Sequence, residues 1–285
     1  MKNRMIGVGV LLFFALGLAV PAPAQSRLGF KIGGGLAYVG GGDFNKGLQG
    51  MSDFLYDVFT LAGVTASGGY KPVHLGFDLN GELIFQITPK MGIGLGAGYL
   101  SVSRLSEMTL TTPTVTEKES WHPRASVIPI TLNFHYSIPA GASLKFNIHA
   151  GVGYYMVGLK DTQRLVFFVI EDREYDTSGS GFGAHGGIGL EIALSPNVGF
   201  TFDILGRFAS ISPIKGDGTA KAGGSTITET GATFWYAEEN VGILGTYAML
   251  YFDPDMPSGS DLFNVREAKL DLSGFSAVAG FIFRF

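Results

Sequence analysis

The chain ends in the segment GFSAVAGFIFRF, where apolar residues alternate with small or polar ones up to the last residue. Phe275, Phe281, Phe283 and Phe285 share one face, because successive side chains of a strand point to opposite sides. Arg284 lies on the other face. In a soluble domain, a strand with such an aromatic face would be an aggregation-prone edge. The pattern therefore predicts that the aromatic face meets an apolar solvent.

The same alternation recurs in seven earlier segments, and in each an apolar face opposes a face rich in glycine and polar residues. These segments are 28–38, 75–87, 93–99, 128–136, 144–154, 182–192 and 198–208. The last strand is expected to begin near Arg266 and to carry a bulge near Gly274, where the alternation slips by one residue. The sequence thus predicts eight strands.

The connections between the strands alternate in length. Short turns at 88–91, 139–142 and 195–197 separate long segments, which are 39–71, 107–121, 161–181 and 212–265. Short turns on one rim and long loops on the other are typical of an outer-membrane barrel. We predict an all-β fold, a closed antiparallel transmembrane β-barrel of eight strands, with short periplasmic turns and long extracellular loops.

A soluble β-sandwich would also show period-two alternation, with its polar faces in water. Glycine is unusually frequent, at 43 of 285 residues, and it fills more than half of the polar face on several strands. That is odd for a solvated surface but suits the interior of a narrow barrel. Only a closed barrel satisfies every backbone polar group in lipid without helices.

The N-terminus has the layout of a secretory signal peptide. Lys2 and Arg4 precede an apolar run over 5–20, and Ala22 and Ala24 supply the small residues of a cleavage site. We expect cleavage after Ala24, which leaves Gln25 as the first residue of the barrel domain, 25–285, exported by the Sec route. No Cys follows the site, so a lipoprotein is excluded.

Composition narrows the function classes. The formal net charge is −4 and there is no basic tract, so nucleic acid is not an expected partner. The absence of Cys excludes disulfides and thiolate metal sites. After the signal, no apolar run reaches the ~18 residues of a membrane helix.

The last strand resembles the C-terminal recognition signal of bacterial outer-membrane proteins. Phe285, Phe283 and Phe281 supply its alternating aromatic residues and Gly280 its glycine, whereas Val278 stands where a polar residue is usual. With the export signal and the eight strands, the chain resembles the small eight-stranded barrel family of the OmpA transmembrane domain, OmpX and OmpW. The resemblance implies an outer-membrane location, outer-membrane lipid and lipopolysaccharide as partners, and the assembly machinery as a partner of the C-terminal strand. It implies no particular activity, because this fold hosts many functions.

Inward-facing charges are costly unless they are paired. Eight are expected in the lumen, four of each sign: Lys31, Asp78, Glu82, Lys145, Glu191, Asp203, Arg207 and Arg284. The turns suggest that Glu82 opposes Gly98, that Asp203 opposes Gly189 and that His185 opposes Arg207. We expect a packed polar plug, because eight strands enclose little more than side chains. A gated ion path is the alternative.

His135, His149 and His185 are also expected to point inward. His149 is expected near Asn133 rather than His135, and no suitable carboxylate spacing accompanies them, so no metal and no other cofactor is predicted.

Two loop segments are unusually apolar. Residues 46–63 have apolar side chains at helical spacing, which predicts a short amphipathic helix at the outer rim. Residues 233–252 either cap the barrel mouth against this helix or form an extra hairpin with its turn at 238–240, which would give ten strands. An apolar loop cluster would also offer a site for a small apolar ligand.

Hydrolytic enzymes are the third function class. The lipid-facing positions contain no His or acid. His74 and His122 at the rim have acids nearby in the loops, such as Asp53, Asp57 and Glu119, but without recognisable spacing. We therefore predict a non-enzymatic barrel with a structural or surface role. Its alternative is a narrow conduit or binding site for a small hydrophobic or ionic solute, and a lipid- or peptide-hydrolysing enzyme comes last.

Overall fold

The computed structural model describes residues 27–166 and 169–285. The predicted signal peptide, with Ala22, Ala24 and the new terminus Gln25, lies outside the described residues. Within these ranges, none of the helices combines the length and apolar character needed to cross a membrane.

The described residues form an all-antiparallel sheet of fifteen strands and a long helix, α1, at Gly42–Leu61. The strands are β1 Leu28–Val39, β2 Thr65–Gly69, β3 Leu75–Gln86, β4 Met91–Ser103, β5 Ser106–Thr111, β6 Thr116–Pro139, β7 Leu144–Val166, β8 Ile170–Ala193, β9 Val198–Ile211, β10 Lys215–Ala222, β11 Ser225–Asn240, β12 Thr246–Asp253, β13 Leu262–Glu267, β14 Leu270–Asp271 and β15 Gly274–Arg284.

Eight of these strands close a ring by hydrogen bonding. The order around the ring is β1, β3, β4, β6, β7, β8, β9 and β15, and β15 pairs back to β1 with Phe283 opposite Phe30 and Ala277 opposite Leu36. These are the segments in which the sequence alternates. The C-terminal strand begins at Gly274 and not near Arg266, because 266–273 comprises the end of β13, all of β14 and the residues that link these strands to each other and to β15.

The two faces of the ring differ in chemistry as predicted. The outer face is a continuous band of exposed apolar side chains, such as Leu79, Leu95, Leu132 and Ile188. The inner face carries glycines and buried polar groups. Exposure of large apolar side chains on every strand of a closed ring identifies the outer face as the lipid-facing one.

Strands β6, β7 and β8 continue beyond this band at the long-loop end. There β8 changes neighbour: Gly183–Ala193 pairs with β9, whereas 171–178 pairs with β10. The sheet continues through β10 to β11 and β12, and on the other side from β6 through β5 to β2. Long parts of the predicted loops 107–121, 161–181 and 212–265 are therefore strands.

Helix α1 packs against both β2 and β12, the two edge strands of this extension. Its buried side chains Phe44, Leu48 and Leu55 join an apolar core inside the extension that also contains Trp121. The predicted amphipathic helix is thus confirmed. Residues 225–253 form a hairpin that packs on α1, with its turn at 241–245 and not at 238–240.

The start of α1 depends on two glycines with left-handed backbone. Gly41 and Gly42 have φ of 77° and 62°, and a Cβ on Gly42 would lie 2.6 Å from the Lys269 carbonyl oxygen. The Gly41 N–H donates to the Asp271 carbonyl at 2.7 Å. Only glycine fits this conformation without strain, so the chain can bring the helix against the 266–273 segment.

Candidate functional site: the polar lumen

The lumen within the lipid-facing band is filled by polar side chains from the inner faces of the ring strands. Glycines opposite these side chains provide the room. A Cβ on Gly94 would lie 1.9 Å from Glu82 Oε1, and one on Gly189 would lie 2.3 Å from Asp203 Oδ1. The glycine-rich inner faces therefore exist because the charged groups occupy the space that other side chains would fill.

Lys31 and Asp203 form the first charge pair. The Lys31 Nζ lies 2.8 Å from Asp203 Oδ2, and both side chains are largely buried. A close ion pair of this kind offsets part of the cost of taking two charges out of water.

Asp78 lies between a cation and a hydroxyl. Its Oδ2 is 3.7 Å from Arg207 Nη1 and accepts a hydrogen bond from the Ser276 hydroxyl at 2.7 Å. Arg207 Nε also donates to the Leu272 carbonyl at 2.9 Å, while Nη2 has no partner among the described residues. Arg207 thus connects the lumen to the 266–273 segment above it.

Glu191 closes the short-turn end of the lumen. Its carboxylate is 3.6 Å from Lys145 Nζ and 2.5 Å from Arg284 Nη2. Only 3% of the Glu191 residue is exposed, and two cations beside it neutralise the buried charge. The apolar side chains of Ile84 and Ile282 are also buried near this end.

Glu82 is the centre of a chain of side-chain hydrogen bonds. Its Oε1 lies 2.7 Å from His135 Nε2 and accepts from Asn133 Nδ2 at 2.7 Å. Asn133 Oδ1 is hydrogen bonded to His185 Nε2, and His185 Nδ1 lies 3.4 Å from the Tyr155 hydroxyl. The partner of Glu82 is thus a histidine and an amide, not the long basic side chain expected from across the lumen.

Two of the predicted registers are wrong, and both by two residues. Glu82 opposes Gly96 and not Gly98, and His149 opposes His135 and not a position near Asn133, with the two rings 5.6 Å apart. The other two are confirmed, since Asp203 opposes Gly189 and His185 opposes Arg207.

All eight predicted charges face the interior, and each lies within 4 Å of an oppositely charged group or a histidine. Five of them, Lys31, Asp78, Glu82, Asp203 and Arg207, line a cavity of about 90 Å³. This is room for a few water molecules. In residues 27–166 and 169–285, no three His, Cys, Asp or Glu side chains are placed to hold a metal ion.

Sequence reasoning missed the groups that join the charges. Asn133 and Tyr155 could be found from the alternation, because they share the inward face with the charges. The Arg207 contact to the Leu272 carbonyl depends on the path of 266–273, which no sequence pattern indicates.

Two further carboxylates are buried in the extension, at separate positions on β6 and β7. Glu119 and Asp161 are 0% and 4% exposed, and Glu119 Oε2 and Asp161 Oδ1 have no hydrogen-bond partner in the described structure. Burial raises the pKa of Glu119 to about 7 and the pKa of Asp161 to about 6. The Val166 N–H and the Gln163 amide each donate to one of these carboxylates, which lowers the pKa in part.

The rim histidines have partners other than acids. His74 Nδ1 lies 2.7 Å from the Val39 carbonyl oxygen, and its ring stacks on Tyr38. His122 Nε2 lies 3.1 Å from the Ser103 hydroxyl. Within the described ranges, neither histidine forms an ion pair with a carboxylate at 4 Å or less.

Comparison with known proteins gives a family and several structural neighbours. The model of the family described as outer membrane protein beta-barrel domain matches residues 10–230. No curated protein matches the chain. Among solved structures, the outer membrane protein OprG from Pseudomonas aeruginosa is 13% identical with a TM-score of 0.41, covering 92% of this chain and 98% of that one.

Two other solved structures are similar at the same low level. A major outer membrane protein from Thermus thermophilus is 13% identical with a TM-score of 0.40, covering 90% of this chain and 99% of that one. The outer membrane protease OmpT from Escherichia coli is 8% identical with a TM-score of 0.35, covering 94% of this chain and 99% of that one.

Proposed function

The chain belongs to the outer membrane protein beta-barrel domain family, and from this premise we propose that it is a plugged, non-conducting barrel with a structural role at the cell surface. The protein is located in the outer membrane. We propose that the eight ring strands cross it, that the short turns face the periplasm and that the extension lies outside the cell.

The observation that carries this proposal is that the interior is filled at two levels, by paired charges in the lumen and by an apolar core in the extension. Within the membrane band, the lumen charges are paired and leave a cavity of about 90 Å³. Above it, α1 and the apolar core that includes Leu48, Trp121 and Leu272 occupy the interior of the extension. An ion crossing the barrel would have to break both the buried ion pairs and an apolar core, and each of these steps is costly.

We propose that the chain is not a hydrolase. Each lumen carboxylate is paired with a cation or a histidine, and the rim histidines contact a carbonyl and a hydroxyl without a carboxylate to orient them. A nucleophile and base need such an orienting group to act as a unit.

We also propose two partners on the strength of the family. The outer-membrane assembly machinery would recognise Gly280, Phe281, Phe283 and Phe285 on β15, the strand that closes the ring against β1. A small apolar ligand at the outer loops stays a prediction; the ring contacts of Phe44 with Phe234 and of Phe54 with Tyr247 use apolar loop surface within the protein.

The test is conductance of the refolded protein in planar bilayers. We expect no current steps from the wild type, in preparations whose folding is verified by heat-modifiable migration on gels. A general diffusion porin inserted in the same way is the positive control. Steps whose frequency increases with the amount of folded protein, and which change in Glu82→Ala, would replace the plug with the second candidate, a narrow conduit favoured by the lumen cavity.

A further inference from the structure

The outer surface of β6 and β7 places two cations directly opposite each other. Arg124 and Lys160 are register partners, and both are exposed on the outward face. Like charges in this position destabilise a strand pair. Their juxtaposition therefore needs an explanation beyond the fold itself.

Several cations on the strands beside Arg124 are paired with a carboxylate. Lys118 lies 3.1 Å from Glu107, Arg164 lies 3.4 Å from Asp172 and Arg173 lies 2.8 Å from Glu171. Lys160 itself lies 2.8 Å from Asp176 on β8. Among the described residues, no carboxylate lies within 4 Å of the Arg124 guanidinium, so the cation opposite Lys160 has no counter-charge of its own.

The height of Arg124 is the second observation. Ile128 and Met156 are the last exposed apolar partners on the two strands, followed by Ser126 with Gly158 and then by Arg124 with Lys160. Two such steps raise Arg124 about 10 Å along the membrane normal at ordinary strand rise and tilt. The headgroup layer is about 5–8 Å thick on each side of a bilayer, so a guanidinium that bends back toward the lipid ends within it.

The residues around the pair mark the same boundary. Tyr99 and Tyr154 lie at the upper edge of the apolar band, and their hydroxyls donate to Ser126 at 3.1 Å and to Ser180 at 2.7 Å. Tyrosine is enriched at this level of membrane proteins. Beside Arg124, the Ser103 hydroxyl and the His122 ring are further hydrogen-bonding groups facing outward.

We infer that Arg124 and Lys160 bind a phosphate group of an outer-leaflet lipid headgroup. A phosphate between them removes the like-charge repulsion, and the planar guanidinium of Arg124 offers it two parallel N–H groups. Asp176 stays on the far side of Lys160, so the anion would lie on the Arg124 side. This inference goes beyond the proposed function, because a plugged barrel needs no lipid site and a conducting one would not exclude it.

The experiment titrates the detergent-folded protein with lipid A, which carries two phosphates, and follows binding by native mass spectrometry. Dephosphorylated lipid A and inorganic phosphate are titrated in parallel. We expect lipid A to bind best and Arg124→Gln and Lys160→Gln each to weaken it about fivefold, the effect of one basic residue at an anionic membrane surface. Arg164→Gln, on the same strand as Lys160 but farther from the lipid and paired with Asp172, is the matched control and should bind as wild type.

Three results would overturn the inference. The first is binding of dephosphorylated lipid A as tight as that of lipid A, and the second is binding of inorganic phosphate as tight as that of lipid A. The third is an Arg124→Gln variant that is folded, as judged by gel migration, and still binds lipid A as tightly as the control variant. Because none of these readouts involves current, they are independent of the conductance test.

Discussion

The Asp43 carboxylate in the first turn of α1 accepts two hydrogen bonds from the Arg266 guanidinium, at 2.7 and 3.2 Å, across 223 residues of chain. Asp43 is 6% exposed and also accepts from the Lys269 N–H at 3.2 Å. This pair fixes the helix to the segment that leads into the closing strand.

Loss of the Arg266 side chain should weaken the attachment of α1 to the 266–273 segment without opening the ring of eight strands. In Arg266→Gln, the buried Asp43 loses its charge partner, which typically costs about 1–3 kcal/mol for a hydrogen-bonded charge. We expect faster proteinase K cleavage within α1, with unchanged heat-modifiable migration of the barrel. Lys215→Gln, an exposed cation without a recorded ion pair in the described residues, should be cleaved like wild type. Equal cleavage of Arg266→Gln and wild type would show that the pair does not hold the helix.

The Lys31–Asp203 pair should contribute to barrel stability only as a pair. Lys31→Met leaves the buried Asp203 without its cation, and breaking a buried pair costs about 3–5 kcal/mol. We expect a correspondingly lower midpoint in urea unfolding from lipid vesicles. The double variant Lys31→Met/Asp203→Asn should recover a large part of the loss, because the uncompensated charge is gone. A double variant no more stable than Lys31→Met would contradict this account.

Glycine at position 94 should be required by the lumen and glycine at 158 should not. Gly94→Ala places a Cβ 1.9 Å from Glu82 Oε1, and overpacking of this kind costs about 1–3 kcal/mol. Gly158→Ala is the matched control, because a Cβ at this outward position meets nothing within 4 Å. Gly94→Ala should therefore lower the unfolding midpoint relative to wild type, and Gly158→Ala should not. Equal midpoints for the two variants would disprove the steric argument.

Stability of the extension should fall as the pH rises from about 4 to about 7. The folded state raises the pKa of Asp161 to about 6 and of Glu119 to about 7, so the unfolded state loses these protons first. Below the ordinary carboxyl pKa values, both groups are protonated in both states and the free energy of unfolding is highest. As the pH rises through the pKa values of the folded state, the free energy of unfolding falls by roughly 1–3 kcal/mol for each group. Trp121 fluorescence in a Trp235→Phe background reports unfolding of this core.

The variants Asp161→Asn and Glu119→Gln should flatten this pH profile and raise stability at pH 8. Asp172→Asn removes an exposed carboxylate of the same extension, and we expect it to keep the wild-type slope. A slope that persists in the double variant Glu119→Gln/Asp161→Asn would assign the pH dependence to other groups.

Alternation predicted the ring strands and their inward faces because lipid on one side and a narrow lumen on the other leave a strong pattern. It could not fix the register of Glu82 or His149. A register shift of one residue between paired strands exchanges the two faces. A shift of two residues keeps every side chain on its face, so the alternation pattern cannot detect it. The register of Glu82 is set by the geometry of the turn between β3 and β4. In that turn the Ile87 N–H donates to the Met91 carbonyl, so Ile87 does not pair with Ile93.

The extension was missed because its pattern is inverted. On β7 the outward side chains are apolar up to Met156, and beyond it the inward ones are apolar, as at Val157 and Leu159, while Lys160 faces out. Beyond that level, headgroups and water replace hydrocarbon on the outside, and the apolar core of the extension replaces the polar lumen on the inside. The change in parity looks like the end of a strand in sequence, although β7 runs on without a break.

Helix α1 fills the gap between the edge strands β2 and β12, where a closed cylinder of strands would need additional strands. A strand removed from a sheet exposes unsatisfied amide groups on both neighbours, whereas a helix carries its own hydrogen bonds with it. The wall of the outer cylinder is therefore closed along this seam by side-chain contacts and not by strand pairing, with the Tyr247 hydroxyl donating to Asp57 and the Tyr70 N–H donating to Ser52. Because no strand ladder crosses that seam, sequence changes there can alter the packing of the outer end while the strand pairing of the membrane ring stays as it is.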